Sequence, residues 1–477
     1  MKKRLFVFCM VLVLAASVLS GCGGETTGSD EVTTIKWYLP GVREGADNAM
    51  VLAEVNKLLE ERYKLKLDTV FIDSGSYGQK MNAMNSAGET YDLACLGSSN
   101  SFYSNVSNGC LADLTELLPK YAPKTFASMG KDTWQCVTHD GKIYAVPNWQ
   151  IQAKSTALFI DKAVLDMAGM SIDEINTIND FETYLEKVAA LNTDVNFFPQ
   201  AWEQFSYAYG IQPLMIGKVA AVRFKEEGKP TIFNMFETEE FKEYVKLREK
   251  WVDNGWVTDE YAPGTSYTTL RRSLGTLGVY TPGADVTISK NKGYPMVMTQ
   301  LSDAVFASDT VNAALTGVSA TSKHPEKALE MIEVMNTDKE IYNMMLYGIE
   351  GKHYTKIGEN KIRLVEGSQY DIINYFNIGS QANSYLIEGQ PDNLIEATRE
   401  INDTAYVSPT NSINFDTSRI ESEIANCSTV VNEQLLMIDR GIAEEGALEK
   451  FIKDLKASGA DKIIEELQRQ VDQAWKQ

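Results

Sequence analysis

Residues 34–41 read TIKWYLPG and residues 77–97 read YGQKMNAMNSAGETYDLACLG, and these two stretches decide the fold. The first is a short apolar run that Pro-Gly ends, which predicts a buried strand. In the second, a polar helix stops at Gly88, and the apolar run Tyr91–Leu96 follows as another buried strand.

Between these stretches, apolar residues recur at helical spacing over Ala49–Tyr63 and alternate over Lys64–Ile72. Strand, helix, strand, helix and strand in this order predict a parallel sheet with helices on its faces, an α/β fold. Further strands are predicted over Ser155–Ile160, Leu274–Tyr280 and Asn312–Ser319, and further helices over Asn179–Leu191, Glu239–Asn254, Pro325–Met335 and Asp461–Trp475.

The N-terminus has the features of an export signal. Basic residues 2–4 precede the apolar run Leu5–Leu19, which is shorter than the roughly 20 residues that a membrane-spanning helix needs. Residues 19–22 read LSGC and resemble a bacterial lipobox. We therefore predict a signal peptide over residues 1–21 and lipidation of Cys22; the alternative is a cleaved signal with an incidental cysteine.

Composition limits the possible partners. Residues 22–33 are polar and rich in Gly, Ser and Thr, which predicts a flexible tether. The 477-residue chain is too long for one core, which suggests two lobes, and its 45 Lys+Arg against 65 Asp+Glu give a formal net charge of −20. Such an acidic surface argues against nucleic acid and anionic lipid as partners.

The sequence shows no motif typical of catalysis or of metal binding. The three histidines His139, His324 and His353 are far apart, and no zinc-ligand spacing, GxSxG elbow or EF-hand loop occurs. Residues 348–353, GIEGKH, have the wrong spacing for a phosphate-binding loop. We predict no enzyme, cofactor or metal site; a hydrolase with two carboxylates is the minor alternative, since acidic residues are plentiful.

Four cysteines follow the predicted anchor, Cys95, Cys110, Cys136 and Cys427. In an exported protein they could form disulfides, and four cysteines allow three pairings. Because Cys95 lies in an apolar run and none has CxxC spacing, mostly free thiols are favoured.

Several segments in a specific order resemble the extracellular solute-binding proteins of ABC importers, the class that includes maltose-binding protein. Besides the two opening stretches they are SNSFYSNVSNGCLADLTELLPKYAP, GKIYAVPNW and GVSATSKHPEKALEMIEVMNTD. The segments LYGIEGKHYTKI, INFDTSRIESEIANCSTVVNE and LKASGADKIIEELQRQVDQAW resemble the C-terminal region of the LipO-type lipoprotein branch, family DUF3502.

The resemblance implies a two-lobed periplasmic-binding-protein type II fold, in which each lobe has a mixed sheet flanked by helices and hinge strands join the lobes. The implied division is residues 34–148 plus 310–350 for the first lobe and 149–309 plus 351–477 for the second. The chain is expected to cross near Trp149, Thr310 and Gly351, and to close on its ligand by a hinge movement.

The resemblance also implies a function: a lipid-anchored protein, exported to the extracellular face of the membrane, that delivers a small solute to an ABC permease. An oligosaccharide is the favoured solute, and a short peptide or another small solute is the alternative. Pure adhesion would leave the cleft without a role. A monomer is expected.

Candidate ligand contacts combine loop position with the resemblance. Trp202, in FFPQAWEQF, lies where related sugar binders place a stacking aromatic; the alternative is a core tryptophan. Ligands of open α/β sheets lie at the carboxyl ends of strands. The loops after strands supply Ser98, Ser99, Asn100 and Phe102, for which an ordinary polar turn is the alternative, and Tyr280, Thr281 and Asp285. Arg43 and Glu44 follow Pro-Gly, with a solvated loop as the alternative; Asn148, Trp149 and Gln150 lie at the first crossing; and Tyr375, Phe376, Asn377 and Gln381 form a polar-aromatic stretch in the last third.

Overall fold

The computed structural model describes residues 31–97, 99–191, 202–257 and 274–475. The predicted signal peptide, Cys22 and most of the predicted tether lie outside the described residues. No helix within the described ranges combines the length and the apolar character needed to cross a membrane.

Nineteen strands are described, and many are only two to four residues long. In chain order they are β1 Thr33–Pro40, β2 Leu65–Ile72, β3 Leu93–Leu96, β4 Thr138–His139, β5 Lys142–Ile143, β6 Val146–Pro147, β7 Ala153–Lys154, β8 Thr156–Asp161, β9 Ile211–Pro213, β10 Ala220–Arg223, β11 Phe233–Asn234, β12 Thr276–Val279, β13 Met296–Gln300, β14 Val305–Phe306, β15 Leu315–Val318, β16 Tyr354–Lys356, β17 Lys361–Leu364, β18 Leu386–Ile387 and β19 Tyr406–Val407.

Eighteen α-helices are described, and short 3₁₀ turns lie between some of them. In chain order they are α1 Asn48–Tyr63, α2 Tyr77–Ala87, α3 Phe102–Ser107, α4 Leu118–Tyr121, α5 Pro123–Ala127, α6 Lys131–Gln135, α7 Lys162–Met167, α8 Ile178–Ala190, α9 Trp202–Phe205, α10 Glu239–Asp253, α11 Ala284–Lys292, α12 Ser308–Val311, α13 Pro325–Thr337, α14 Lys339–Tyr347, α15 Leu394–Thr404, α16 Glu421–Arg440, α17 Ala447–Ala457 and α18 Ala460–Ala474.

The first lobe is built on a five-stranded sheet of order β2-β1-β3-β15-β6. β1 pairs in parallel with β2 and β3, as the predicted alternation of strands and helices requires, and β15 joins β3 antiparallel. Ile35, Trp37 and Leu39 alternate into the core at 0–1% exposure because strand side chains point to opposite faces. The predicted α/β fold of this lobe is confirmed.

The second lobe has a separate core. A sheet of order β12-β8-β13 and another of order β11-β10-β9 lie in it. Its hydrophobic cluster draws on α8 and α10 and on the C-terminal helices α16, α17 and α18. Two cores of this kind are what a chain of this length requires, and the two-lobed fold is confirmed.

Three short strands join the lobes in a sheet of order β19-β14-β7. β14 pairs antiparallel with β7 and parallel with β19, so the three passages of the chain between the lobes lie side by side. The third strand of this sheet, β19, lies further along the chain than Gly351, near which the third crossing is predicted.

The segment after Gly351 packs on the first lobe. Tyr354, Ile362, Tyr370 and Ile378 belong to the first hydrophobic cluster, whereas the resemblance implies that residues 351–477 lie in the second lobe. The physical reason is that the β16–β17 hairpin and the loop after it bury their apolar side chains there.

Asn402 of α15 holds the first crossing in place. Its side-chain oxygen accepts hydrogen bonds from the backbone N–H groups of Gln152 (2.7 Å) and Ala153 (3.2 Å). Its amide nitrogen donates to the carbonyl oxygen of Gln150 at 2.8 Å. Since α15 leads directly into β19, one side chain ties the first crossing to the third.

The four cysteines are free thiols, as favoured from the sequence. Burial raises the pKa of Cys95 and of Cys136 to about 12, so both stay protonated at neutral pH. The Sγ of Cys95 donates to Oδ1 of Asn377 at 3.4 Å, and that of Cys136 to Oδ1 of Asn411 at 3.3 Å.

Candidate functional site

A cleft of about 750 Å³ lies where the two lobes face each other next to the second crossing. Both lobes contribute to its walls. The lining residues are Ser101, Tyr103, Ser104, Ser107 and His139 from the first lobe, Ser308 and Asp309 from the crossing, and Gln212, Leu214, Ile216, Thr410, Ile413, Asn414, Phe415, Asp416, Thr417, Ser418 and Glu421 from the side of the second lobe.

The first wall is one face of α3. Ser101 caps this helix by accepting a hydrogen bond from the N–H of Ser104. Residues three apart share a helix face, which aligns Ser101 with Ser104 and Ser107 along the cleft. Tyr103 also lines it, and its hydroxyl accepts a hydrogen bond from Asn312 at 3.0 Å. This wall offers hydroxyl groups and one aromatic ring.

The second wall includes β9 and the residues after it. Gln212, Leu214 and Ile216 line the cleft, consistent with the alternation of side chains along a strand. Gln212 is 3% exposed, and its Oε1 accepts no hydrogen bond from any residue that the structure describes. A buried acceptor of this kind needs a donor, which a ligand in the cleft can provide.

The loop from Thr410 to Ser418 completes the second wall and brings a second aromatic ring, Phe415. Gln470 of α18 fixes this loop, because its side chain binds both the N–H and the carbonyl oxygen of Asp416, at 2.8 and 2.7 Å. Asn414 reaches the first lobe, where its amide donates to the carbonyl oxygen of Thr138 at 3.2 Å.

Asp309 lies at the base of the cleft. Its side chain is exposed to the cleft, yet protein surrounds it, and the loss of solvation raises the pKa of Asp309. The nearby cation is Lys154, whose Nζ lies 3.9 Å from Glu203 and 5.2 Å from the ring centre of Tyr207. Asp309 and Glu203 therefore share the neighbourhood of one ammonium group, that of Lys154.

None of the predicted contacts that the structure describes is among the lining residues of this cleft, although Asn100 and Phe102 flank Ser101. Phe102 is 2% exposed in the first core, and Asn100 donates to the carbonyl oxygen of Cys95 at 3.0 Å. Ser99 is exposed, and Ser98 lies outside the described residues.

The loop after β1 is held by Asp371. The carboxylate of Asp371 accepts hydrogen bonds from the N–H groups of Glu44 and Gly45, both at 2.7 Å, and from the side chain of Asn48 at 2.9 Å. The guanidinium of Arg43 donates to the carbonyl oxygen of Asp371 and to Asn48. Arg43 is thus engaged within the first lobe, and Glu44 is exposed.

These hydrogen bonds give a pH-dependent prediction. Those from Asn48 and the backbone lower the pKa of Asp371. A lowered folded-state pKa contributes stability above the unfolded value of about 3.9, and this contribution is lost as the pH falls through the folded value. Asp371→Asn should therefore cost about 1–2 kcal/mol at pH 7 and close to nothing at the acid end.

Urea unfolding at neutral and acid pH measures this difference. Asp68→Asn, at an exposed strand position, is the matched control and should change little at either pH. An Asp371→Asn deficit that is the same at both pH values would contradict the assignment.

Two predicted groups meet at the first crossing. The amide of Asn148 donates to the carbonyl oxygen of Phe376 at 2.8 Å, and the backbone N–H of Gln381 donates to the carbonyl oxygen of Trp149, also at 2.8 Å. Asn148 and Trp149 are buried, at 2% and 7% exposure. Their neighbours in the same stretches are Gln150 and Tyr375, both half-buried, and Asn377, which is buried.

The remaining predicted contacts belong to the second lobe. Tyr280, Thr281 and Asp285 follow β12 and are half-buried. Trp202 is 1% exposed in the second core and borders a separate cavity of about 200 Å³ that Pro213 of β9 also lines.

Sequence reasoning missed the loop that brings Phe415 and the outward face of α3. Residues 410–418, TNSINFDTS, mix hydroxyl, amide and aromatic side chains without apolar periodicity, and that composition is the signal that could have identified them. Within the described residues, no three His, Cys, Asp or Glu side chains are grouped so that they could hold a metal ion.

The chain is similar to a bacterial transport protein over its whole length. A carbohydrate ABC transporter substrate-binding protein of Streptococcus pneumoniae serotype 4 is 28% identical over 499 residues, with 100% of this chain and 99% of the relative covered.

Solved structures are also similar to this chain. The N-glycan transport solute binding protein NgtS from Streptococcus pneumoniae matches with a TM-score of 0.82 at 25% identity, covering 93% of this chain and 99% of that one. The same protein in complex with Man5GlcNAc matches with a TM-score of 0.69 at 26% identity, with the same coverage.

Two family models match the chain itself. One, described as a domain of unknown function (DUF3502), covers residues 409–477, the part that forms the loop with Phe415 and the C-terminal helices. The other covers residues 44–341. With more than half of its length matched, the chain belongs to the bacterial extracellular solute-binding proteins.

Proposed function

We propose that this protein is the substrate-binding component of a carbohydrate ABC importer and that it holds an oligosaccharide between its two lobes. The observation that carries the proposal is the composition of the cleft. Hydroxyl, amide and carboxylate groups from both lobes surround it, and the rings of Tyr103 and Phe415 line it.

A sugar has hydroxyl edges and apolar C–H faces, so this lining suits it. The serines of α3 and the side chains of Gln212 and Asn414 can exchange hydrogen bonds with hydroxyl groups, and aromatic rings can cover the C–H faces. Ligand pockets combine apolar walls with a few placed polar groups in volumes of roughly 300–1,000 Å³. The volume of about 750 Å³ favours several sugar units over one.

The names of the relatives support a carbohydrate. The pneumococcal relative is a carbohydrate ABC transporter substrate-binding protein, and NgtS was solved with the glycan Man5GlcNAc. The lower TM-score against that complex, 0.69 against 0.82, is the kind of difference that a hinge movement between lobes produces. Closure around the ligand, read by an ABC permease, is part of the proposal.

The lobe division proposed here follows the packing. Residues 34–148, 310–350 and the segment up to α15 form the first lobe, and residues 155–302 with α16, α17 and α18 form the second. The predicted contacts whose side chains keep exposed surface stay candidates for a longer ligand: Glu44, Ser99, Gln150, Tyr280, Thr281, Asp285 and Tyr375. A monomer is proposed.

Anchoring of the exported protein through Cys22 is also proposed, on the lipobox sequence alone. Cys22→Ser should release the protein from the cell membrane into the medium, whereas Cys110→Ser should leave it attached. Fractionation of cells expressing both variants measures the difference. Membrane retention of the Cys22→Ser variant would contradict the anchor.

A thermal-shift screen tests the function. The purified protein is heated with gluco-, galacto- and manno-oligosaccharides and with a set of short peptides. A ligand that binds only the folded state stabilises it by RT ln(1 + [L]/Kd), about 2.7 kcal/mol at a hundredfold excess over Kd. A rise with one sugar series and no new products is expected; a rise only with peptides, or turnover of the sugar, would overturn the proposal.

A further inference from the structure

We infer that the cleft selects uncharged oligosaccharides, which donate hydrogen bonds through their hydroxyl groups, and rejects glycans whose sugars carry carboxylates. This inference rests on the proposed function and adds to it a substrate class. Two independent observations lead to it: the charges on the walls and the unsatisfied acceptor of Gln212.

The titratable side chains that line the cleft are mostly acids. Asp309, Asp416 and Glu421 face it, together with His139, and none of the described lining residues is a lysine or arginine. Asp416 accepts the N–H of Ser418 at 2.9 Å, and its hydrogen bonds with Ser418 lower the pKa of Asp416. Asp416 therefore stays negative at neutral pH.

The described cations that neighbour the cleft are already engaged. Lys154 lies beside Glu203 and over the ring of Tyr207. Arg419 lies close enough to Asp416 and Glu466 to lower the pKa of both carboxyls. A ligand carboxylate would have to compete with these protein carboxylates, and the chain as a whole carries a formal net charge of −20.

Gln212 provides the second observation, which concerns hydrogen bonding instead of charge. Gln212 is one of the residues that line the cleft, and its Oε1 is buried and has no donor among the described residues. Only a donor can satisfy it, and a buried acceptor left without one costs free energy. A sugar hydroxyl can donate to it, whereas an ionised carboxylate only accepts, so a C6 carboxylate placed at Gln212 would leave this acceptor unsatisfied.

The energetic consequence is large enough to measure. Like charges brought together at a binding interface weaken binding, and the repulsion grows as water leaves the cleft. We expect at least about a tenfold difference in Kd between an uncharged glycan and the same glycan oxidised to the uronate at C6, since each 1.4 kcal/mol is about tenfold.

Matched ligand pairs test this directly. Isothermal titration of the purified protein compares mannotetraose with tetramannuronate and galactotetraose with tetragalacturonate, at low and at high salt. Each pair differs only at C6. The uncharged member of the binding pair is expected to bind at least about tenfold more tightly, with little dependence on salt, because screening acts only on charged ligands.

Different variants test the Gln212 acceptor and the lining acids separately. Gln212→Leu should weaken mannotetraose or galactotetraose binding by about tenfold through loss of one acceptor, while Gln473→Leu, on the exposed side of α18, should have no effect. The double variant Asp416→Asn, Glu421→Gln should narrow the gap between uncharged and acidic members without improving the uncharged one.

The outcomes distinguish the two proposals. Equal or tighter binding of the uronate member would overturn the selectivity and leave the oligosaccharide-binding function in place. Failure of all four tetrasaccharides, together with silence in the wider sugar screen, would overturn both. An unchanged gap in the double variant would remove the lining acids as its cause.

Discussion

Trp202→Ala is expected to lower the free energy of unfolding by about 3–5 kcal/mol, the usual cost of removing a large buried aromatic. Its indole is 1% exposed and lies against the rings of Tyr209, Phe241 and Tyr244, with ring centroids 4.9–5.9 Å apart. The variant would leave a cavity beside the one of about 200 Å³ that already borders this side chain.

Urea or thermal unfolding of the variant measures that loss, and Trp475→Ala is its matched control. Trp475 is 54% exposed at the end of α18, so its removal should change stability by under about 0.5 kcal/mol. The folded fraction of the Trp202→Ala protein should keep its affinity for the oligosaccharide. Lost affinity with unchanged stability would restore Trp202 as a ligand-stacking residue.

Asn402→Ala is expected to cost about 2–4 kcal/mol, because it leaves two buried N–H groups without their acceptor. These belong to Gln152 and Ala153, at 3% and 0% exposure, within the first crossing. The same change frees the crossing from α15, so hydrogen exchange at residues 150–154 should accelerate more than in either core.

Asn402→Asp keeps the acceptor oxygens and loses only the donor to Gln150, so a smaller loss of stability is expected. Asn82→Ala, on the exposed side of α2, is the control for asparagine removal in a helix. Unfolding curves and exchange rates of Asn402→Ala that match those of the control would contradict a role for Asn402 in fixing the hinge.

The elements that the sequence predicted well are those with local patterns. β1, α1, β2 and α2 lie within about two residues of their predicted bounds, since each has its own apolar period and its own stop. The stretch LACL, residues 93–96, is apolar throughout, as expected of a strand with both faces buried, and the structure shows all four residues buried.

The hinge could not be predicted in the same way. β7, β14 and β19 have two residues each, too few for a period to register, and their order depends on chain segments hundreds of residues apart. The contacts of Asn402 and Asp371 are equally distant in sequence. The crossing near Gly351 rests on the family resemblance alone and not on a pattern in these residues.

The candidate site could likewise be predicted from the sequence only in part. The loop after β3 was predicted to bear ligand contacts, and the helix that follows does line the cleft, but through Ser101 and Tyr103 instead of Phe102. A large aromatic residue such as Trp202 is a natural candidate for a ligand contact, but such residues are more often buried in the core. Phe415 lies in a polar loop whose place beside α3 depends on the tertiary fold.

The central claim is that one oligosaccharide contacts both lobes across the cleft. Hydrogen–deuterium exchange of the purified protein, with and without the tightest-binding tetrasaccharide of the titration series, tests it most directly. We predict slower exchange on ligand binding at residues 101–107 of the first lobe and at residues 410–421 opposite them, in the same experiment. Protection confined to one lobe, or to the surroundings of Trp202, would contradict it.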